Sequence, residues 1–318
     1  MNQKQRDQFA SWWQGRIEWD VDMGRYSTLR AGGLADALVE VRDVDELCCL
    51  LKKFAELKIN FLVIGRGSNI LIAEQGYPGV ILRLLGTLKS ITFRDGTEEG
   101  KEIVRVEVGA GCSMAALVSR CSEMALSGLE YMVGIPGSVG GAVRMNAGAW
   151  GHDIGERLLE IECVDACGSL VTIPVAELQL SYRSFASKNR ETGWMIITSA
   201  TFILTADNRE QVSGRCSRYL ARRQGRQPTG VASAGSFFKN PQGDYAGRLI
   251  EAAGLKGVCC GQAMVSPDHA NFIVNNGRAT AGDIVELMQL VQERVLQQFG
   301  VRLEPEVQII QGVAGGCI

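Results

Sequence analysis

Apolar residues recur along this chain at two different periods, and the two alternate. Over 45–57, Leu47, Leu50, Leu51 and Phe54 fall on one face at three- and four-residue steps, which predicts an amphipathic helix. The short apolar run Phe61-Leu62-Val63-Ile64 predicts a strand, and further strands are predicted over 80–84, 90–94 and 103–108. A second helix is predicted over 113–125, turning Leu117, Val118 and Cys121 inward. From Asp207 the character changes. A basic helix is predicted over 207–224, with Arg215, Arg218, Arg222 and Arg223, for which a solvated face is the default. Another is predicted over 280–299: Thr280 caps it, Asp283 stands three residues on, and Ile284, Leu287, Met288, Val291, Val295 and Phe299 form its stripe before Gly300 ends it. The run 301–310 reads as strand-like and puts Glu304 and Glu306 on the same side, without saying which of them matters. Beyond Gln311 a Gly-rich tail is predicted to be flexible.

Three polar, glycine-containing segments interrupt this pattern. Gly65-Arg66-Gly67-Ser68-Asn69 follows the strand, but Ile70-Leu71-Ile72 is apolar again, so the loop joins two extended segments. A dinucleotide fingerprint needs a third glycine and a helix there, and its context excludes it. From Gly134 to Gly151 so many glycines occur that an ordinary strand or helix carries a large entropic penalty. Bare backbone of this kind brings N–H groups up to anionic oxygens, or else serves as a hinge. Ser233-Ala234-Gly235-Ser236-Phe237-Phe238-Lys239-Asn240-Pro241 sets one hydroxyl between a glycine and two aromatic residues, which predicts a rigid loop beside an apolar wall. By itself it names no reaction, because Ser236 capping a turn and two core phenylalanines would read the same way.

Composition narrows the function classes. With 318 residues and 46% apolar content the chain can fill two or three sub-domains. Its 33 basic and 35 acidic residues leave a formal charge of −2, with no basic footprint for nucleic acid. No window approaches a membrane span, and the polar start from Met1 to Asp20 carries no apolar run, which predicts a cytoplasmic protein. Ten cysteines without a CxxC pair, and only His152 and His269, make a metal site an unsuitable reading; most thiols are expected to be buried apolar groups in a reducing compartment. Redox chemistry then requires an organic cofactor.

Taken together, the segments resemble the UDP-N-acetylenolpyruvoylglucosamine reductases, flavoenzymes of bacterial cell-wall synthesis. The parts stand in family order over roughly 26–310: Ser27-Thr28-Leu29-Arg30, the Gly65–Asn69 loop, Gly134-Ile135-Pro136-Gly137-Ser138-Val139-Gly140-Gly141, Asn146-Ala147-Gly148-Ala149, Ser181-Tyr182-Arg183, the Gly235–Pro241 segment, His269-Ala270-Asn271-Phe272-Ile273-Val274 and Leu303-Glu304-Pro305-Glu306-Val307. The resemblance implies an α+β fold: a helical segment at 1–25, a two-lobed FAD-binding domain of the vanillyl-alcohol-oxidase type at 26–204, a smaller α+β substrate domain at 205–311, and a flexible tail at 312–318. It implies non-covalent FAD held by Gly65, Arg66, Gly67, Ser68 and Asn69, with Gly134, Ile135, Pro136, Gly137, Val139, Gly140, Asn146 and Gly148 beside the flavin. NADPH is the implied co-substrate, the other substrate is the 3-O-(1-carboxyvinyl) ether of UDP-N-acetylglucosamine, and the protein is expected to be a monomer. Arg183 and Glu306 are implied to flank the substrate carboxylate and Ser236 to give the proton; Glu306 is expected either to be protonated or to hold Arg183 or a water in place, with a raised pKa in the substrate complex, and Tyr182, Arg226, Lys239, Asn240 and His269 are implied substrate contacts.

The chain departs from the family pattern in places. Ser184 directly follows Arg183, Arg144 and Trp150 stand where tyrosines are common, His152 replaces a glycine, and Arg226 stands for a lysine. The short span from Arg183 to Ser236 matches the branch without the extra lid insertion and implies a more open pocket. A covalent flavin at His152, an oxidase or dehydrogenase on the same fold, and a nucleotide-sugar sensor without turnover are the competing readings. Neither of the last two needs Ser236 together with Glu306.

Overall fold

The computed structural model describes residues 1–98, 100–165, 167–188, 195–228 and 230–312. Its first lobe is a four-stranded sheet in the order Ile17–Asp22, Leu34–Val41, Tyr77–Leu84, Phe61–Ile64, antiparallel at the first pair and parallel thereafter. Strand alternation divides its side chains between two cores: Ala37, Val39 and Val41 with Val80, Leu82 and Leu84 face one, Leu38 and Ile81 the other. The predicted helix forms as Val44–Leu57. Asp43 caps it by accepting from Glu46 N–H, and Leu47, Leu50, Leu51 and Phe54 are buried in the first of those cores.

The second lobe is an antiparallel sheet ordered Leu170–Pro174, Leu158–Val164, Ile196–Ala206, Lys101–Gly109, Ile91–Glu98, and its inward residues join the same core. Helix Met114–Glu123, capped by Ser113, supplies Leu117, Val118 and Cys121 as its periodicity predicts. The third unit has its own core around Phe237, Phe238, Leu249, Ile284 and Leu287. It consists of a four-stranded antiparallel sheet, Ala232–Ser236, Phe272–Asn275, Ala263–Val265 and Cys259–Cys260, backed by helix Ala281–Phe299. That helix starts in a Thr280/Asp283 capping box and ends at Gly300, whose φ of +68° is the left-handed stop expected of a glycine there.

Several expectations are corrected. The segment 1–25 is not a separate helical piece: after helix Gln3–Trp12, Ile17–Asp22 is a strand of the first lobe, and Phe9 is fully buried in its core. The basic helix Arg209–Gln224 buries Val212 and packs Cys216 and Tyr219 on the core of the lobes, so the third unit contributes to its own core only from Ala234 on, where Leu29, Ala31 and Leu71 of the first lobe join it. The final run is regular only over Gln308–Ile310, which pairs in parallel with Ile70–Ile72 and ties the third unit back to the first. Among the described cysteines only Cys112, Cys121 and Cys163 are buried, while Cys49, Cys167 and Cys259 are exposed. Burial pushes the Cys121 and Cys163 thiols up to about 12, which makes them inert apolar groups. Of the expected flexible tail, 313–318 lies outside the described residues.

Candidate active site

A cleft of about 650 Å³ opens where the two lobes meet the third unit. One wall is the loop Gly65–Asn69, and each glycine there answers a steric demand. A Cβ on Gly67 would lie 1.9 Å from the carbonyl oxygen of Tyr26, at a φ of +64°; one on Gly65 would lie 2.2 Å from Ser138 Oγ. Thr28, from the first motif, donates its N–H to the Gly67 carbonyl at 3.0 Å, while its neighbour Leu29 is buried in the third unit's core. Asn275 then reaches back, donating from Nδ2 to the Leu29 carbonyl at 2.9 Å. The loop is thus clamped between units. Gly67→Ala is expected to cost about 2–4 kcal/mol, from left-handed strain plus overpacking, and to lower FAD content; denaturant unfolding and the flavin-to-protein absorbance ratio check it.

The adjoining wall is Gly134, Ile135, Pro136 and Gly137, tied to the loop by Ser68 Oγ donating to the Pro136 carbonyl at 3.3 Å. A smaller pocket of about 300 Å³ shares Gly65, Arg66, Ser138 and Gly141 with the cleft and adds Gly140. The result is a continuous, backbone-rich cavity suited to an elongated cofactor with anionic oxygens in its middle. Two buried donors without partners also belong to the cleft's lining residues: Trp150 Nε1 and Arg223 Nε. The residues present therefore fit FAD.

Chemistry enters from three directions. Tyr182 and Arg183 make the two-residue turn between strands Leu178–Ser181 and Ser184–Ser187. Arg183 sits at φ +53°, a conformation costing a side chain about 1–2 kcal/mol. Its guanidinium donates from Nε to Glu306 Oε1 at 2.6 Å and from Nη2 to the Gly148 carbonyl at 3.3 Å. Glu306 arrives on the C-terminal segment, which bridges Phe238 at Pro305 and is held by Asn69 Nδ2 donating to the Glu306 carbonyl at 3.1 Å. Its side chain is 14% exposed against 74% for Glu304, which answers the question the spacing left open. Burial pushes the Glu306 carboxyl up, opposed by Arg183 and Lys239. Ser236 ends the strand Ala232–Ser236 rather than sitting on a loop; a register shift after Ser233, with Gly235 at φ +77°, presents it at the cleft. Phe237 and Phe238 lie in the core behind it, not along the cleft.

Among the residues expected at the flavin, Val139 is buried in the core and Asn146 is buried beside the cleft without lining it. None of the five expected substrate contacts lines the cleft. Tyr182 is half exposed, with its hydroxyl accepting from Asn240 N–H at 3.3 Å. Asn240 Oδ1 accepts from Ala246 N–H at the start of a helix, Lys239 pairs with Glu304 at 3.5 Å, and Arg226 is exposed. His269 Nδ1 accepts from Asn271 N–H at 3.2 Å, and its ring packs edge-on against Phe272. Burial lowers its pKa from the usual 6.5. Below that value the unfolded chain binds a proton the folded one resists, so stability is expected to be complete above about pH 6.5 and to fall as pH drops through the folded value. Denaturation midpoints between pH 5 and 8 check this, and His269→Gln should flatten the curve. His152 is exposed and bonded to Glu156 at 2.9 Å, away from the cleft lining, which removes the basis for a covalent link.

Arg223 is the residue the sequence reading missed. It belongs to the last turn of its helix, where it lines the cleft, donates from Nη1 to Gln227 Oε1 at 3.1 Å, and has its pKa lowered by burial and by the charge of Arg183. Arg223 stands four residues after Tyr219, seven after Cys216 and eleven after Val212, on the inward face of the helix, whereas exposed Arg218 lies off that face; this spacing is the signal that could have found it.

Residues 227–310 match the family model described as UDP-N-acetylenolpyruvoylglucosamine reductase, C-terminal domain, and residues 35–174 match an FAD binding domain. A UDP-N-acetylenolpyruvoylglucosamine reductase of Desulfosudis oleivorans is 41% identical over 314 residues, 98% of this chain and 99% of that one. The chain belongs to the UDP-N-acetylenolpyruvoylglucosamine reductase family. A second relative so named, numbered 2, from Symbiobacterium thermophilum is 41% identical over 93% of this chain and 92% of its own. The crystal structure of the reductase (MurB) from Thermus caldophilus superimposes with a TM-score of 0.78 at 34% identity, covering 93% of this chain and all of that one. The reductase fold, an α+β FAD-binding domain of two lobes followed by a smaller α+β domain, is thus the one expected, and FAD is its cofactor. No helix among the described residues is long and apolar enough to cross a membrane, and no described cluster of His, Cys, Asp and Glu suits a metal ion.

Proposed function

We propose that this reductase uses NADPH to reduce the enolpyruvyl ether of UDP-N-acetylglucosamine to UDP-N-acetylmuramate, a peptidoglycan precursor. One observation carries the reading: Arg183, Ser236 and Glu306, from three distant segments, converge on a glycine-walled cleft with Arg183 bonded to Glu306 at 2.6 Å. FAD, which the walls Gly65–Asn69 and Gly134–Gly137 would hold, would supply the hydride for C3 of the enolpyruvyl group, with NADPH as the source of electrons. The protein must then accommodate negative charge at C2, where the electron pair of the double bond collects and spreads into the neighbouring carboxylate. The Arg183 fork binds that carboxylate and stabilises the added charge. Glu306 holds the Arg183 fork in place through their 2.6 Å bond, and the burial that pushes its carboxyl up makes it easier to protonate as the substrate's negative charge approaches. Ser236 gives its hydroxyl proton to C2 and recovers one from solvent, completing addition of one hydride and one proton across the double bond. Arg223 offers a second fixed positive charge to an anionic part of the cofactor or substrate.

The test is anaerobic. Flavin in the purified protein is bleached with NADPH, and enolpyruvyl UDP-N-acetylglucosamine is then added without oxygen. Rapid return of the oxidised spectrum with formation of UDP-N-acetylmuramate is expected; recovery only on admission of air would replace this reading with an oxidase.

A further inference from the structure

Asn146 holds its place for a reason other than contact with the cofactor. It is 1% exposed and absent from the cleft wall, although Met145 and Ala147 on either side line that wall. Both ends of its amide are used inside the protein: Nδ2 donates to the Ser181 carbonyl at 3.2 Å, and Oδ1 accepts from Gly155 N–H at 3.1 Å. Ser181 is the last residue before the turn that carries Arg183. Two positions further on, the Gly148 carbonyl accepts from Arg183 itself; two positions back, the Arg144 guanidinium lies over Phe185 of the same hairpin, 5.3 Å from its ring centre. Arg144, Asn146 and Gly148 thus all engage the hairpin, and Asn146 is the one residue of the strip 144–148 that lines neither the cleft nor the smaller pocket.

We infer that Asn146 is a positioning residue for Arg183, fixing the hairpin to the same strip of backbone that walls the cofactor cleft. The inference rests on the proposed reaction only for what Arg183 does. The residue type is set by two demands at once. At φ +38° the backbone favours glycine or asparagine over other residues, and only asparagine among these supplies both a donor toward Ser181 and an acceptor toward Gly155. Since misplacement of a catalytic group by about 1 Å can cost 10²-fold, loosening the hairpin should be felt at the substrate and not at the nicotinamide.

Asn146→Gly removes the amide and keeps the backbone free to adopt its angle; Asn146→Asp keeps the bond to Gly155 but sets a carboxylate against the Ser181 carbonyl. Both holoenzymes are expected to retain FAD and to be bleached by NADPH at the rate of the unaltered protein. Reoxidation by the enolpyruvyl substrate is expected to slow by roughly 10- to 100-fold, with a higher KM. In FAD-loaded Asn146→Gly, amide exchange over 178–188 should rise about tenfold while that over helix Met114–Glu123 stays unchanged, a readout that needs no turnover. Reoxidation at the unaltered rate, equal loss of FAD and of both half-reactions, or unchanged exchange over 178–188 would each overturn the inference. Failure of the unaltered protein to turn over would instead count against the reaction, and the exchange result would still decide the role of Asn146.

Discussion

Ser236→Ala is expected to leave bleaching of the flavin by NADPH within about twofold of normal and to slow reoxidation by the enolpyruvyl substrate by about 10³-fold, the middle of the range for loss of a positioned general acid. The substitution deletes one oxygen and adds nothing. Ser236 is half-buried at the end of its strand, its backbone register is fixed by pairing with Phe272, and the core behind it is made by Phe237 and Phe238, so the fold has little reason to respond. What disappears is the hydroxyl proton that C2 needs once charge has collected there. Ser236→Cys should recover part of the rate, because a thiol is also a proton donor, though bulkier and set at a different length. Stopped-flow absorbance of each half-reaction separates the cases. If the alanine variant lost both half-reactions equally, Ser236 would be a structural or cofactor residue, and the proton would have to come from elsewhere.

Much of the architecture was readable because it depends on local signals. Thr280 and Asp283 announce a helix start, Gly300 its end, and the stripe between them its buried face, all of which a single residue's neighbours decide. The loop Gly65–Asn69 was separable from a dinucleotide fold for the same reason, since Ile70-Leu71-Ile72 forbids a helix there. Packing between distant segments was not readable. Nothing in the polar start of the chain reveals that Ile17–Asp22 completes a sheet or that Phe9 is buried, and the run of arginines in the basic helix masks that Arg223 shares the inward face of Val212, Cys216 and Tyr219 while Arg218 does not. The same limit applies to the site. Arg183, Ser236 and Glu306 do meet on one cleft, while Lys239, Asn240 and His269 have internal partners, and Asn146 serves the hairpin rather than the cavity. Motif membership placed all of these near each other; only the contacts say which face the substrate and which hold the residues that do.

Arg183→Gly is expected to separate stability from function. The turn holds residue 183 at φ +53°, where glycine is at ease, so the backbone relaxes by about 1–2 kcal/mol. Reoxidation by the enolpyruvyl substrate should nevertheless fall by roughly 10²–10³-fold, the usual loss when one group that stabilises developing charge is removed. A lysine at the same position should not restore it, since one ammonium lacks the fork that reaches Glu306 and Gly148 together. The variant also leaves Glu306 buried without its cation. Burial already pushes that carboxyl above its usual 4.5, and Arg183 is the foremost influence holding it down, so in the variant it climbs further. A carboxyl raised on folding binds more protons in the folded state than in the unfolded one. Its contribution to stability is therefore full below about pH 4.5 and is lost as pH rises through the folded value, over a wider window in Arg183→Gly than in the unaltered protein. Combining Arg183→Gly with Glu306→Gln should remove that slope, because an amide needs no proton to be neutral. Denaturation midpoints measured from pH 4 to 9 on the three proteins test the coupling directly. A slope that survives the glutamine would assign the titration to another group, and unimpaired reoxidation in Arg183→Gly would take the substrate carboxylate away from this arginine altogether.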